Sequence, residues 1–173
     1  MSVFARFGSI ADRIDGVTAA IGRTVAWCLL VMVIAQVVVV LMRYVLGLGS
    51  IWLQETILYA HAALFMLAAA WTLQQGGHVR VDIFYAEASV RRKALIDLFG
   101  ALVLLFPFAI ALLWVSASYV GRSWAVLEHS RETSGLPLVF LLKTLIPLFA
   151  ILLGLQGLSQ SIRAVLALSV NER

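Results

Sequence analysis

Charged residues divide this chain into four long uncharged stretches, and polar positions mark where each one ends. Arg23 and Arg43 bound the first, Glu55 and His78 the second (with His61 neutral), Asp97 and Arg122 the third, and Lys143 and Arg163 the fourth. A helix needs about 20 residues to cross ~30 Å of hydrocarbon, and every stretch is long enough. Transmembrane strands would need about ten residues with strict alternation, and segments 34–41 and 101–113 show none. The pattern predicts an all-α membrane protein with four transmembrane helices, at about residues 24–46, 51–75, 94–123 and 137–166.

Ahead of the first span, Val3, Phe7, Ile10, Ile14, Val17 and Ile21 alternate spacings of four and three, which lines one face of a helix. Arg6, Asp12, Arg13 and Asp15 fall elsewhere, so residues 1–23 read as an amphipathic arm. Gly8 and Gly16 weaken it, and it should form against a surface rather than alone. The membrane interface and a partner subunit both fit, with the interface favoured. Between helices 2 and 3, Gly76-Gly77 closes a helix, and Val81, Ile83, Phe84 and Tyr85 are too apolar for a free loop. That connection is expected to lie along the cytoplasmic membrane surface. The chain is thus read as an arm (1–23), a transmembrane domain (24–166) and a short tail (167–173).

Composition agrees. The 173 residues are 62% hydrophobic and 13% charged, about half the charge of a soluble domain, which leaves no separate soluble domain. The net charge of +4 does not point to nucleic acid, because the basic residues sit at helix ends. Nine of the thirteen basic residues lie in the arm, the second connection and the tail, so both termini should be cytoplasmic, N-in and C-in. Arg91-Arg92-Lys93 opens a helix, where cations oppose the macrodipole. The cluster therefore serves topology or anionic lipid head groups, with a merely solvated charge run an equal alternative. Trp52, Trp124, Tyr44 and Tyr119 fit an outer aromatic belt, and Trp27 and Trp71 an inner one. The first span exceeds the 7–15 residues of a signal-peptide core and no small-residue cleavage site follows, so it should be retained. Cys28 is the only cysteine, which excludes an internal disulfide.

Ionisable groups inside the spans carry the candidate chemistry. A hairpin about Leu48-Gly49 sets Arg43 opposite Glu55 and Gln36 opposite His61, and helical phase allows only one pair to form well. Arg43–Glu55 is the predicted structural ion pair. His61 is expected to be hydrogen-bonded to a neighbour rather than to act as a proton site or haem ligand. His78 lies seventeen residues on, roughly 25 Å by helical rise, so the two cannot share a metal. His129 falls in the outer loop, and no cluster has metal spacing. No catalytic constellation appears, so no enzyme activity, cofactor or metal site is expected. In the fourth span Ala150, Gly154, Gly157 and Ser161 form a seam that lets a helix approach closely, with Gln156 and Gln160 near it. Pro147 should kink that helix, and Lys143 must snorkel or find a partner.

Taken together, several stretches resemble the small membrane subunit of the tripartite ATP-independent periplasmic (TRAP) transporters. They are Arg43-Tyr44-Val45, Trp52 with Glu55, Gly76-Gly77-His78-Val79-Arg80-Val81-Asp82, Glu132-Thr133-Ser134-Gly135-Leu136-Pro137, Ile146-Pro147-Leu148 and Leu155-Gln156-Gly157. The resemblance runs from about Arg43 to Arg163 in order and spacing. It departs at Leu48-Gly49-Ser50-Ile51, where a proline-containing turn is common. The resemblance implies a scaffold subunit in the bacterial inner membrane, bound to a large multi-spanning permease that carries substrate and sodium. An external substrate-binding protein would deliver an organic acid. Arg43, Trp52 and Glu55 would hold the outer hairpin, and His78, Arg80 and Asp82 the cytoplasmic surface segment. The outer loop of Trp124, Glu128, His129, Arg131 and Glu132 would offer a contact for the binding protein.

Two other classes fit the residues less well. An autonomous proton-coupled exporter would need a carboxylate at mid-depth, and Glu55 lies near the end of its span. A haem-binding electron-transfer subunit would need a second histidine level with His61, and none exists.

Overall fold

The structure is a computed structural model that describes residues 3–78, 85 and 87–170. Its helices are α1 (Val3–Val45), α2 (Ile51–Gln74), α3 (Val90–Phe99), α4 (Phe106–Ala125) and α5 (Val139–Val170), with a π-helical turn at Gly100–Leu105 joining α3 to α4. No strand occurs among the described residues. Four helical stretches are long and apolar enough to cross a membrane: Arg6–Val45, Ile51–Gln74, Val90–Ala125 and Val139–Ser169. Each takes in all or most of one uncharged run, and the first and third extend beyond it into charged residues.

The arm and the first span form one uninterrupted helix. α1 has 43 residues, about 64 Å at 1.5 Å per residue, roughly twice the hydrocarbon thickness. No proline interrupts it. The face that packs on the other helices is not the apolar stripe. Phe7, Ile10 and Val17 are about half exposed, whereas Ala11 (0%) and Thr18 (2%) are buried, together with Gly22. Close helix packing selects small residues at the contact, which leaves the larger apolar side chains on the outside. At Gly22 a Cβ would stand 2.6 Å from Trp71, so α1 and α2 are in backbone-close contact there.

The helix ends follow local chemistry. The Ser50 side chain accepts from the Leu53 N–H at 3.4 Å and caps α2. At the other end Gly76 adopts φ +69°, with its N–H on Leu73 O (3.1 Å) and the Gly77 N–H on Thr72 O (2.9 Å), a Schellman closure. α4 ends in the same way with a residue that pays for it: Leu127 takes φ +45° as Glu128 N–H reaches Ser123 O at 3.0 Å. The π turn precedes Pro107, which has no N–H and would crowd the carbonyl four residues back; the wider turn, closed by Phe106 N–H on Ala101 O, relieves this.

α5 is the hub. It packs on α1, α2, α3, the π turn and α4, and α1 packs on α2, while α4 touches neither α1 nor α2 among the described residues. The seam faces the α4 side: Ala150 is 1% exposed, a Gly154 Cβ would lie 4.0 Å from that of Ala109, and a Gly157 Cβ would collide with Leu105. α5 continues as helix through Pro147. The buried positions are mainly Ala, Ser and Gly, and large apolar side chains point outward, Trp114 at 84% and Phe65 at 69%. In water such a surface would aggregate; in lipid it is the solvated side.

Candidate functional site: polar clusters at the two ends of the array

At one end, Glu55 in the second turn of α2 organises the α4–α5 loop. One carboxylate oxygen accepts from the Ser130 hydroxyl and the other from the Leu136 N–H at 2.5 Å. The Ser130 hydroxyl oxygen also accepts from Glu132 N–H, and Ser130 N–H donates to Leu136 O. Gly135 fits because any Cβ would come 2.7 Å from a Glu55 oxygen. The predicted Arg43–Glu55 ion pair is therefore replaced: Glu55 faces the loop, and Arg43 is exposed. Hairpin register alone cannot foresee this, because the competing donors come from about eighty residues downstream. Trp52 is half exposed beside them.

The same end holds a second lock. Lys143, the charge within the fourth predicted span, donates to Glu128 at 2.5 Å and lies 4.1 Å over the Tyr119 ring. The hydrogen bond from Lys143 holds the Glu128 carboxyl below its ordinary range. Trp124 donates to the Thr144 hydroxyl at 2.8 Å and packs edge-on against Phe140. Of the predicted contact loop, Trp124 and Glu128 thus serve the fold, and His129, Arg131 and Glu132 are exposed.

At the opposite end Asp15 of α1 gathers α5 and α2. Its carboxylate accepts from Ser159 (2.7 Å), Gln156 Nε2 (2.9 Å) and Arg163 (Nε, 3.0 Å), and Arg163 also reaches Asp12 at 2.8 Å. Gln74 Nε2 donates to the Asp15 carbonyl at 3.2 Å, and Gln160 Nε2 to Leu73 O at 3.0 Å. Asp15, Gln74, Gln156, Gln160 and Arg163, with Lys93, Ala94 and Asp97, line an open cleft of about 340 Å³. Sequence reasoning placed Gln156 and Gln160 near a seam but missed Asp15. The available signal was the small and polar stripe Ala11, Asp15, Thr18, Gly22, at spacings of four, three and four.

A family model described as tripartite ATP-independent periplasmic transporters, DctQ component, matches residues 17–167. The chain belongs to this family. The DctQ component is the small membrane subunit of a TRAP transporter, a transporter family rather than an enzyme family, and its chain here is a multi-pass membrane protein. No curated protein and no solved structure matches the chain.

The remaining predicted positions are distributed as follows. His61 is exposed and stacks on Phe65 at 6.4 Å, without the expected hydrogen bond to a neighbour among the described residues. His78 is exposed beyond α2, while Arg80, Asp82 and most of the expected surface segment lie outside the described residues. Tyr85 in that segment donates to Asp97 at 3.0 Å and lies 5.2 Å from the Lys93 ammonium. No group of three or more potential metal ligands occurs among the described residues.

Proposed function

We propose that this chain is the scaffold subunit of a TRAP secondary transporter for organic acids in a bacterial inner membrane, with both termini cytoplasmic. It binds the large permease, in which sodium-coupled symport takes place, and its outer loop helps to dock the periplasmic substrate-binding protein. The observation that carries this reading, beside the family, is the outward face of α2. Gln54, Leu58, His61, Phe65 and Thr72 are exposed at helical spacing, and His61 sits near mid-span. A polar side chain facing lipid at that depth costs several kcal/mol, whereas against another protein it finds a partner. We therefore place the large permease on this face of α2, and the exposed apolar sides of α1 and α4 in lipid.

Exposed His129, Arg131 and Glu132 support the docking role, since a rigid loop with exposed charges suits an external partner. The Arg91-Arg92-Lys93 cluster supports contact with anionic head groups. The test is to tag the C-terminus, solubilise native membranes mildly and identify the co-purifying proteins by mass. A stoichiometric large polytopic protein, cross-linked by a cysteine at position 61, is expected. Recovery of the subunit alone, under conditions that keep other complexes intact, overturns the reading.

A further inference from the structure

An apolar groove opens on the outside of the array, at the end that carries Asp15. Phe7 of α1 borders it, with Leu98 of α3 and Leu102 of the π turn on one wall and Val165 and Leu166 of α5 on the other. Its volume is about 430 Å³, and Phe7, Leu102 and Val165 are each about half exposed, so it opens outward. Among the lining residues only Ser161 has a polar side chain, and its hydroxyl donates to Gly157 O at 2.8 Å. A water in the groove needs about two to four polar partners and finds none. An extended peptide would bring in backbone N–H and C=O groups that go unpaired. A hydrocarbon chain brings neither, and it restores the dispersion contacts that empty walls lose.

Depth and charge narrow the source of that chain. Leu98 follows Asp97 and Ile162 precedes Arg163, the charges that bound the third and fourth uncharged runs, so the groove begins where head groups give way to hydrocarbon. Arg6 immediately precedes Phe7, and Arg13 lies seven residues on, along the same face of α1 as Arg6. Both are exposed, and neither forms an ion pair among the described residues. The acids of this stretch, Asp12 and Asp15, are held by Arg163. On the other wall Arg91 stands two turns ahead of Leu98, on the same face of α3. Cations thus stand at the mouth of a groove that has none inside.

We propose that this groove holds an acyl chain of an anionic phospholipid, with the lipid phosphate at Arg6 and Arg13. The lipid bridges α1 and α3, which do not pack on each other among the described residues. α2 takes no part in the groove, and the choice of lipid over protein rests on the placement of the large permease on α2.

The experiment takes the full chain by a C-terminal tag from native membranes, with any partner that stays bound. Its lipid is exchanged in detergent for phosphatidylglycerol or phosphatidylcholine with identical acyl chains, and native mass spectrometry counts what is retained. Phosphatidylglycerol is expected to bind about tenfold more tightly. Arg6→Gln with Arg13→Gln, both at exposed positions, should remove that preference. Val165→Trp fills the groove from an exposed position and should release the tightly held lipid of either kind. Equal retention of the two lipids, a preference that survives Val165→Trp, or displacement by soluble glycerol phosphate overturns the proposal. So does a cross-link from Val165→Cys to the large permease in native membranes, which would give the groove to protein. Absence of a cross-link from His61→Cys, with the lipid preference intact, upholds the groove and fails the permease placement instead.

Discussion

Replacing Glu55 separates two accounts of the same carboxylate. In the structure it makes two charge-assisted hydrogen bonds, to the Ser130 hydroxyl and the Leu136 N–H, and closes the α4–α5 loop on α2. Bonds to a charged acceptor contribute about 1.5–3 kcal/mol each, and partial exposure of Glu55 argues for the lower part of that range. Glu55→Ala should therefore cost about 2–4 kcal/mol. Glu55→Gln keeps one acceptor oxygen and should cost about half as much. At ~2–4 °C per kcal/mol for a chain of this size, the alanine variant should melt about 5–15 °C lower in detergent. Arg43 is exposed and makes no bond to Glu55, so Arg43→Ala should change stability by no more than about 0.5 kcal/mol. The deciding measurement is a pair of double-mutant cycles. Glu55 with Ser130 should show a coupling of about 1 kcal/mol, and Glu55 with Arg43 none. Equal losses from Arg43→Ala and Glu55→Ala, coupled to each other, would refute the loop-closing role and restore the hairpin ion pair.

Three further outcomes follow from the geometry. Gly22→Ala should destabilise by about 1–3 kcal/mol, since the added methyl lands 2.6 Å from Trp71, while Gly16→Ala, with nothing within 4 Å, should stabilise by about 0.5–1 kcal/mol; thermal melts of the pair check the sign. Leu127→Gly should raise stability by about 0.5–1 kcal/mol by removing the left-handed strain at φ +45°, and Leu127→Val should lower it. Because Lys143 depresses the Glu128 carboxyl, the stabilisation from Glu128 is fully present above the ordinary carboxylate range and is lost as pH falls through the lowered folded value. The melting difference between the parent chain and Glu128→Gln should thus be constant near neutrality and vanish in acid, and a difference that persists in acid would contradict the ion pair.

The four helices were legible because lipid imposes a simple rule, in which long uncharged runs must be helical and their ends carry the charges. Gly76-Gly77 announced a helix end for a local reason that sequence displays. The polar contacts were less legible, for a reason that Glu55 and Asp15 share. Each finds its partners on a segment distant in the chain, at 75 to 81 residues for Glu55 and 141 to 148 for Asp15. Register within one hairpin cannot rank such partners against a near neighbour such as Arg43. The arm was legible only in part. Its apolar stripe was read as facing the membrane interface or a partner, and the face that packs on the other helices was not foreseen: Ala11, Thr18 and Gly22 make that contact through small side chains while Phe7 and Val17 stay outside.

The two polar clusters explain how an array without a large apolar core can hold its shape. Between helices in lipid there is no hydrophobic driving force, so small-residue seams supply only packing and leave sliding and tilting cheap. Here the ends are tied instead. Glu55 and Lys143 connect α2 and α5 to the α4–α5 loop at one end, and Asp15 and Arg163 connect α1 to α5 at the other, with Gln74 and Gln160 drawing in α2. Because α5 takes part in both clusters, a shift of α5 along its axis would have to break charged contacts at both ends together. A subunit that moved during a transport cycle would be poorly served by such ties, and one against which another subunit moves would be well served. The distribution of polar residues is therefore compatible with the static role proposed for this chain.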